Sequence, residues 1–115
     1  MQEAAQVPIC KLEAIPDLGS DGFIINSPKG PLNIMIIRQN NKIFIYSNSC
    51  PHIGAPLDFS PGDFLNQNKS HIICASHGAL FRINDGYCVS GPCEGKSLRP
   101  VEFLIRNGEI ILVLS

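Results

Sequence analysis

Cys50-Pro51-His52-Ile53-Gly54-Ala55-Pro56-Leu57 and Cys74-Ala75-Ser76-His77-Gly78-Ala79-Leu80-Phe81 are the two stretches on which the reading of this chain turns. Each carries one thiol and one imidazole, as CxH in the first and CxxH in the second, and 21 residues separate His52 from Cys74. Two loops that each supply one sulfur and one nitrogen read as a paired metal site. The even division suits a centre of two metal ions, with sulfurs on one and nitrogens on the other. A tetrahedral Zn²⁺ takes the same set of two thiolates and two imidazoles, but zinc modules of that composition usually draw both thiolates from one short segment and both imidazoles from another. A thiol-imidazole catalytic dyad is a third use of such residues, and it needs an oxyanion hole and a substrate cleft that nothing in the sequence signals.

Around these stretches the apolar residues come in short runs broken by Gly, Pro, Asn and Asp, with almost no helical spacing, so the fold class expected is all-β. Strands are expected over 7–12, 23–26, 32–38, 42–47, 71–75, 79–83, 101–106 and 109–114. Asn107-Gly108 supplies the two residues that a type I′ hairpin turn needs at positive φ, and Asn40-Asn41 does the same less cleanly. Asp85-Gly86 turns the chain just beyond the second ligand stretch, towards Tyr87-Cys88-Val89. Residues 13–22 read as a turn-rich connection, and 59–70 as a polar excursion with one short strand around Phe64-Leu65.

At 115 residues the chain is expected to form one domain, 1–115, burying about two thirds of its unfolded surface without a disulfide framework. Nine basic and ten acidic residues give a formal charge of −1. With no basic cluster and no aromatic-basic interleaving, nucleic acid is not an expected partner. The first residues, Met1 to Gln6, lack the basic segment and apolar run of a secretory signal, and no apolar stretch reaches membrane-spanning length, so no membrane association is expected. Five cysteines, two of them assigned as ligands, leave Cys10, Cys88 and Cys93. An odd remainder fits a reducing compartment, and the expected location is the cytoplasm. Cys88 and Cys93 are expected as buried thiols, the other readings being a CxxxxC disulfide or a second metal site; Cys10 and His71 read as ordinary strand residues.

The two ligand stretches, together with Asp85-Gly86 and Gly91-Pro92, resemble the cluster-binding loops of Rieske-type 2Fe-2S ferredoxins, and the resemblance extends over roughly residues 7–114. It implies an antiparallel β-sandwich with a small cluster-binding subdomain, about 48–93, inserted in it. It also implies one 2Fe-2S cluster, with Cys50 and Cys74 on one iron and His52 and His77 on the other. Gly54 and Gly78 would lie beside the cluster at positive φ or in close approach, and Gly91-Pro92-Cys93 would form a third, non-ligating loop. High-potential members of the family carry an extra cysteine in each ligand loop, joined as a disulfide, and hydroxyl donors near the sulfurs. Here Ala55 and Ser76 replace the cysteines, and Ala79 and Phe81 replace the hydroxyls. Fewer donors imply a potential toward the lower end of the class range of about −150 to +300 mV.

The function implied is that of a monomeric electron carrier rather than an enzyme, docking transiently with a flavoprotein reductase and with an oxygenase or other redox acceptor. Ile53, Pro56 and Pro92 would form a small apolar rim around the imidazoles. The spacing between the ligand pairs is a few residues longer than in common oxygenase ferredoxins, with the excess around 58–69, and bears on the choice of partner. A structural zinc module and a Rieske-like regulatory or small subunit of a larger oxidoreductase are the alternatives; subunits of that kind typically lose the ligands, and all four are present here.

Overall fold

In the computed structural model, which describes residues 5–51, 54–58 and 60–114, the four consecutive residues Ile34-Met35-Ile36-Ile37 are completely buried. Successive side chains of a strand point to opposite faces, so such a run requires a sheet covered on both sides. The run lies in β3 (Gly30–Gln39), the centre of a sheet that also contains β2 (Gly19–Ser27) and β4 (Lys42–Ser47). On one face Ile34 and Ile36, with Ile43 and Ile45 of β4, share a core with Ile110 and Leu112. The latter belong to β9 (Glu109–Leu114), the middle strand between β1 (Ala5–Lys11) and β8 (Phe103–Arg106). On the other face Met35, Ile37, Phe44 and Tyr46 join a second core that holds Leu57, Phe64, Ile72, Phe81, Leu98 and four of the five thiols. That core is closed by a small sheet of β5 (His71–Ile73), β6 (Leu80–Arg82) and β7 (Cys88–Ser90). Each fully buried aliphatic side chain contributes about 1.5–3 kcal/mol, so the shared strand stabilises both cores at once.

Every strand pairing is antiparallel, and the one helical element among the described residues is a single 3-10 turn, Leu12–Ala14. The all-β sandwich expected from the sequence is therefore the observed architecture. Asn107 and Gly108 turn at φ 53° and 74°, and Asn40 and Asn41 at 53° and 61°, so both hairpins use left-handed pairs. The second pair is as well formed as the first because its neighbours fix it: Asp17 accepts from the Asn40 N–H at 2.9 Å, and Arg38 donates to the Asn41 side chain at 3.2 Å.

The expected connection over 13–22 ends early. β2 begins at Gly19 and pairs in register with β3, Gly22 opposite Met35. Gly22 reads as a turn residue in the sequence, yet it lies in a strand beneath the Phe64 ring, where a Cβ would come within 3.2 Å of the ring edge. The excursion after residue 59 behaves as expected: Leu65 bridges to Ile72 and Phe64 is buried.

Tyr46 ties β4 to the small sheet. Its hydroxyl donates to the Ile83 carbonyl at 2.7 Å, and burial, followed by the nearby Asp85 carboxylate, pushes its pKa up to about 12. A tyrosine held neutral in the fold above its ordinary value near 10 lends stability that is fully present below pH 10 and lost as the pH rises through 12. Tyr46→Phe leaves the buried Ile83 carbonyl without this donor and is expected to cost about 1–3 kcal/mol in urea unfolding at neutral pH. The same variant should lose part of the wild-type decline in stability between pH 10 and 12, measured in the same way.

Candidate metal centre

The two ligand stretches fold into the same backbone ring. In the first, the Cys50 N–H donates to the Ala55 carbonyl at 2.8 Å and the Gly54 N–H to the Cys50 carbonyl at 2.7 Å. In the second, the Cys74 N–H donates to Ala79 and the Gly78 N–H to Cys74, both at 2.9 Å. Each ring closes through a left-handed residue, Gly54 at φ 75° and Gly78 at φ 69°. A Cβ at Gly78 would meet nothing within 4 Å, and at Gly54 only the Ser49 hydroxyl at 3.9 Å, so among the described residues it is the conformation that calls for glycine at both. The Ala75 N–H donates to the Leu57 carbonyl at 2.8 Å and ties the second loop to the end of the first.

This frame turns the thiols inward and an imidazole outward. Cys50 and Cys74 are buried, with their side chains within hydrogen-bonding reach of each other, while His77 is exposed. His52 and Ile53, named in the sequence reading as ligand and rim residue, lie outside the described residues. Among the described residues, no three His, Cys, Asp or Glu side chains converge as a single-ion site would need. Burial pushes the Cys74 thiol pKa up; the Ser76 backbone N–H directed at its sulfur lowers it, the Cys50 side chain raises it again, and the His77 N–H lowers it. A buried Cys74 thiol whose ionisation the neighbouring Cys50 side chain discourages, with backbone donors already aimed at its sulfur, is suited to a metal cation that would hold both sulfurs as thiolates. The donor set thus fits an iron-sulfur centre.

A third loop completes the surroundings. Gly91 has φ 99°, and a Cβ there would lie 2.8 Å from the Ala79 Cα, so glycine alone lets this loop rest on the second ligand loop. Pro92 is exposed beside it, as is Pro56 of the first loop. Cys93 is buried, with its sulfur 3.5 Å from that of Cys50. Cys88 is buried too but donates to the Ser90 carbonyl at 3.2 Å, and both remain thiols, as expected, rather than a disulfide. Cys10 packs at the edge of the base core. His71, the first residue of β5, has its ring nitrogen 2.9 Å from the hydroxyl of the preceding Ser70, an ordinary strand-end environment. Ala79 and Phe81 are fully buried and offer no hydroxyl.

The sequence reading missed Asn48. It is 5 % exposed; its side-chain oxygen accepts the Leu57 N–H at 2.8 Å, and its side-chain nitrogen donates to Asp58 at 3.2 Å, pinning the end of the first loop to its start. Nothing in its local sequence signals this, because both partners come from the far side of the loop.

Residues 6–107 match the Rieske [2Fe-2S] domain family. The chain belongs to that family. Its cofactor is accordingly a 2Fe-2S cluster of Rieske type. No relative matches among curated proteins. Among solved structures, this Rieske domain is similar to the ferredoxin of carbazole 1,9a-dioxygenase from Nocardioides aromaticivorans IC177, at 20% identity and a TM-score of 0.72, over 95% of this chain and 99% of that one. It is similar to the same degree to the Sphingomonas yanoikuyae B1 ferredoxin, at 20% identity and a TM-score of 0.72, over 96% of this chain and all of that one. A complex of reduced oxygenase and oxidized ferredoxin in carbazole 1,9a-dioxygenase also matches, at 19% identity and a TM-score of 0.72, over 94% of this chain and 92% of that one. At such identity these likenesses establish the shared fold.

The glycines of the Rieske loops separate strain from close approach. Gly78→Ala meets only the left-handed penalty of about 1–2 kcal/mol. Gly91→Ala adds a backbone collision with Ala79, so its unfolding free energy from urea titration is expected to fall further, by an additional ~1–3 kcal/mol.

Proposed function

We propose that this Rieske protein is a one-electron carrier rather than an enzyme, a single domain over 1–115 with its cluster-binding part at about 48–93. The observation that carries this reading is the placement of Cys50 and Cys74 together in a buried core while His77, from the same pair of loops, stands exposed. In this reading Cys50 and Cys74 hold one iron and His52 and His77 the other, and the bound cluster supplies a reversible one-electron couple. The buried core around the thiols excludes water from the sulfur side. The exposed imidazole gives the shortest path between the centre and a docked partner. Pro56 and Pro92, both exposed, are the rigid apolar contacts proposed beside that exit; Ile53, the third rim residue proposed, lies outside the described residues. A small rim suits brief encounters, since a carrier must leave each partner quickly.

The acceptor proposed is an oxygenase, supported by the ferredoxin likenesses and by the oxygenase-ferredoxin complex among them. The donor proposed is a flavoprotein reductase. The setting proposed is a monomer in the cytoplasm, where an odd number of cysteines outside the ligand set fits a reducing compartment. Among the described residues no helix is long and apolar enough to cross a membrane.

The test is an EPR spectrum of anaerobically purified, dithionite-reduced protein, with iron, sulfide and zinc quantified on the same sample. A rhombic signal with low average g and equal iron and sulfide is the expected result; stoichiometric zinc without iron would replace the carrier by a structural module. His77→Ala is expected to abolish the signal, and an unchanged spectrum would remove His77 from the ligand set. With Ala79 and Phe81 in place of hydroxyl donors, a redox titration should place the midpoint in the lower part of the class range, below about +200 mV.

A further inference from the structure

Cys93 has no role among the four proposed ligands, yet it is completely buried and its sulfur lies 3.5 Å from that of Cys50. Its position is set by the backbone. Gly91 seats the third loop on Ala79, the Glu94 N–H donates to the Gly91 carbonyl at 3.1 Å, and the Lys96 N–H donates to the Cys93 carbonyl at 2.8 Å. The Cys88 N–H then donates to the Lys96 carbonyl at 2.8 Å and closes the turn against β7. A side chain held this firmly against a ligand sulfur is placed to act on it.

We propose that Cys93 is a positioning and tuning residue of the cluster, its S–H donating a hydrogen bond to the Cys50 sulfur. The inference rests on the assignment of Cys50 as a ligand. Between two thiols either sulfur can be the donor. Once Cys50 is a metal-bound thiolate it carries no proton, so the pair has one remaining proton, on Cys93, and the bond runs in one direction. A donor on a ligand sulfur withdraws charge from the centre and stabilises the reduced state, which raises the potential. Cys93 thereby returns part of what Ala79 and Phe81 omit, from a different loop. A thiol suits the place: it is apolar enough for complete burial and still a weak donor. Cys88, five residues earlier in the chain, spends its proton on the Ser90 carbonyl and is not equivalent.

The experiment compares wild type, Cys93→Ala and Cys93→Ser as full chains with clusters assembled. Iron and sulfide content, EPR, midpoint potential and resonance Raman spectra in H2O and D2O are measured on each. Cys93→Ala is expected to keep the cluster and the rhombic signal while the equilibrium constant for reduction falls about three- to tenfold, a shift of about 30–60 mV for a one-electron couple. Cys93→Ser, which keeps a donor, should restore the potential to the wild-type value or above it. Wild type and Cys93→Ser should show Fe–S stretching bands that move in D2O, and Cys93→Ala should show a smaller shift. A loaded Cys93→Ala with unchanged potential overturns the proposal. Equal shifts in Ala and Ser do the same, since packing alone would then be responsible. Loss of the cluster in both variants overturns it in favour of ligation or loop support, and deuterium-insensitive bands in the wild type overturn it without any substitution. Failure of the ligand assignment reads out separately, as a Cys50→Ala protein that still shows the wild-type signal.

Discussion

The double burial of β3 is the constraint on which the rest of the molecule depends. Because Ile34 and Ile36 face one core while Met35 and Ile37 face the other, a single strand serves as a partition. Behind it lies a base whose fully buried residues are isoleucine and leucine, edged by valine, phenylalanine and Cys10. In front of it lies a core that holds Phe64 and Phe81 together with four thiols. A slip of one residue in the register of β3 would exchange its two faces and disturb both cores, so the register is strongly specified. The strands that flank the second ligand loop are short, three residues each in β5 and β6. Besides their own ladders they are held by packing against the partition and by the Tyr46 hydroxyl, which donates to the Ile83 carbonyl just beyond β6.

On that partition the candidate metal site is assembled from two copies of one backbone device. A cysteine N–H caught by the carbonyl five residues later, and a left-handed glycine returning its own N–H to the cysteine carbonyl, occur at Cys50–Gly54 and again at Cys74–Gly78. The different spacing of the histidines, CxH against CxxH, conceals this likeness, since the common interval runs from cysteine to glycine. Equal frames bring the two sulfurs together, and the imidazole positions differ by one residue around the ring. The third loop, seated by Gly91, closes the sulfur side with Cys93.

The electrostatics follow from the same placement. Burial and the neighbouring Cys50 side chain resist ionisation of the Cys74 thiol, and backbone donors from Ser76 and His77 oppose that resistance. A bound cation would settle the balance toward the thiolate, which couples metal loading to the integrity of the loops. In the carrier we propose, sulfur inside and imidazole outside would separate two tasks, with the interior setting the potential and the surface meeting the partner.

What the sequence determined by itself was whatever depends on the chemistry or conformation of neighbouring residues. The paired thiol-imidazole segments named the metal chemistry, the Asn107-Gly108 and Asn40-Asn41 pairs named the hairpins, and the apolar runs named the strands, with β4 and β9 correct to the residue. Segments 13–22 and 71–83 were read less well, because Gly22 answers to the Phe64 ring and the ends of β5 and β6 answer to the loop between them. The tertiary structure alone decided that Asn48 pins the first loop, that His77 faces solvent, and that Cys93 rather than Cys88 meets the Cys50 sulfur. Cys50 and Cys93 are 43 positions apart. No local propensity reaches across such a separation, and only the packing of three loops onto one doubly covered sheet brings those atoms together.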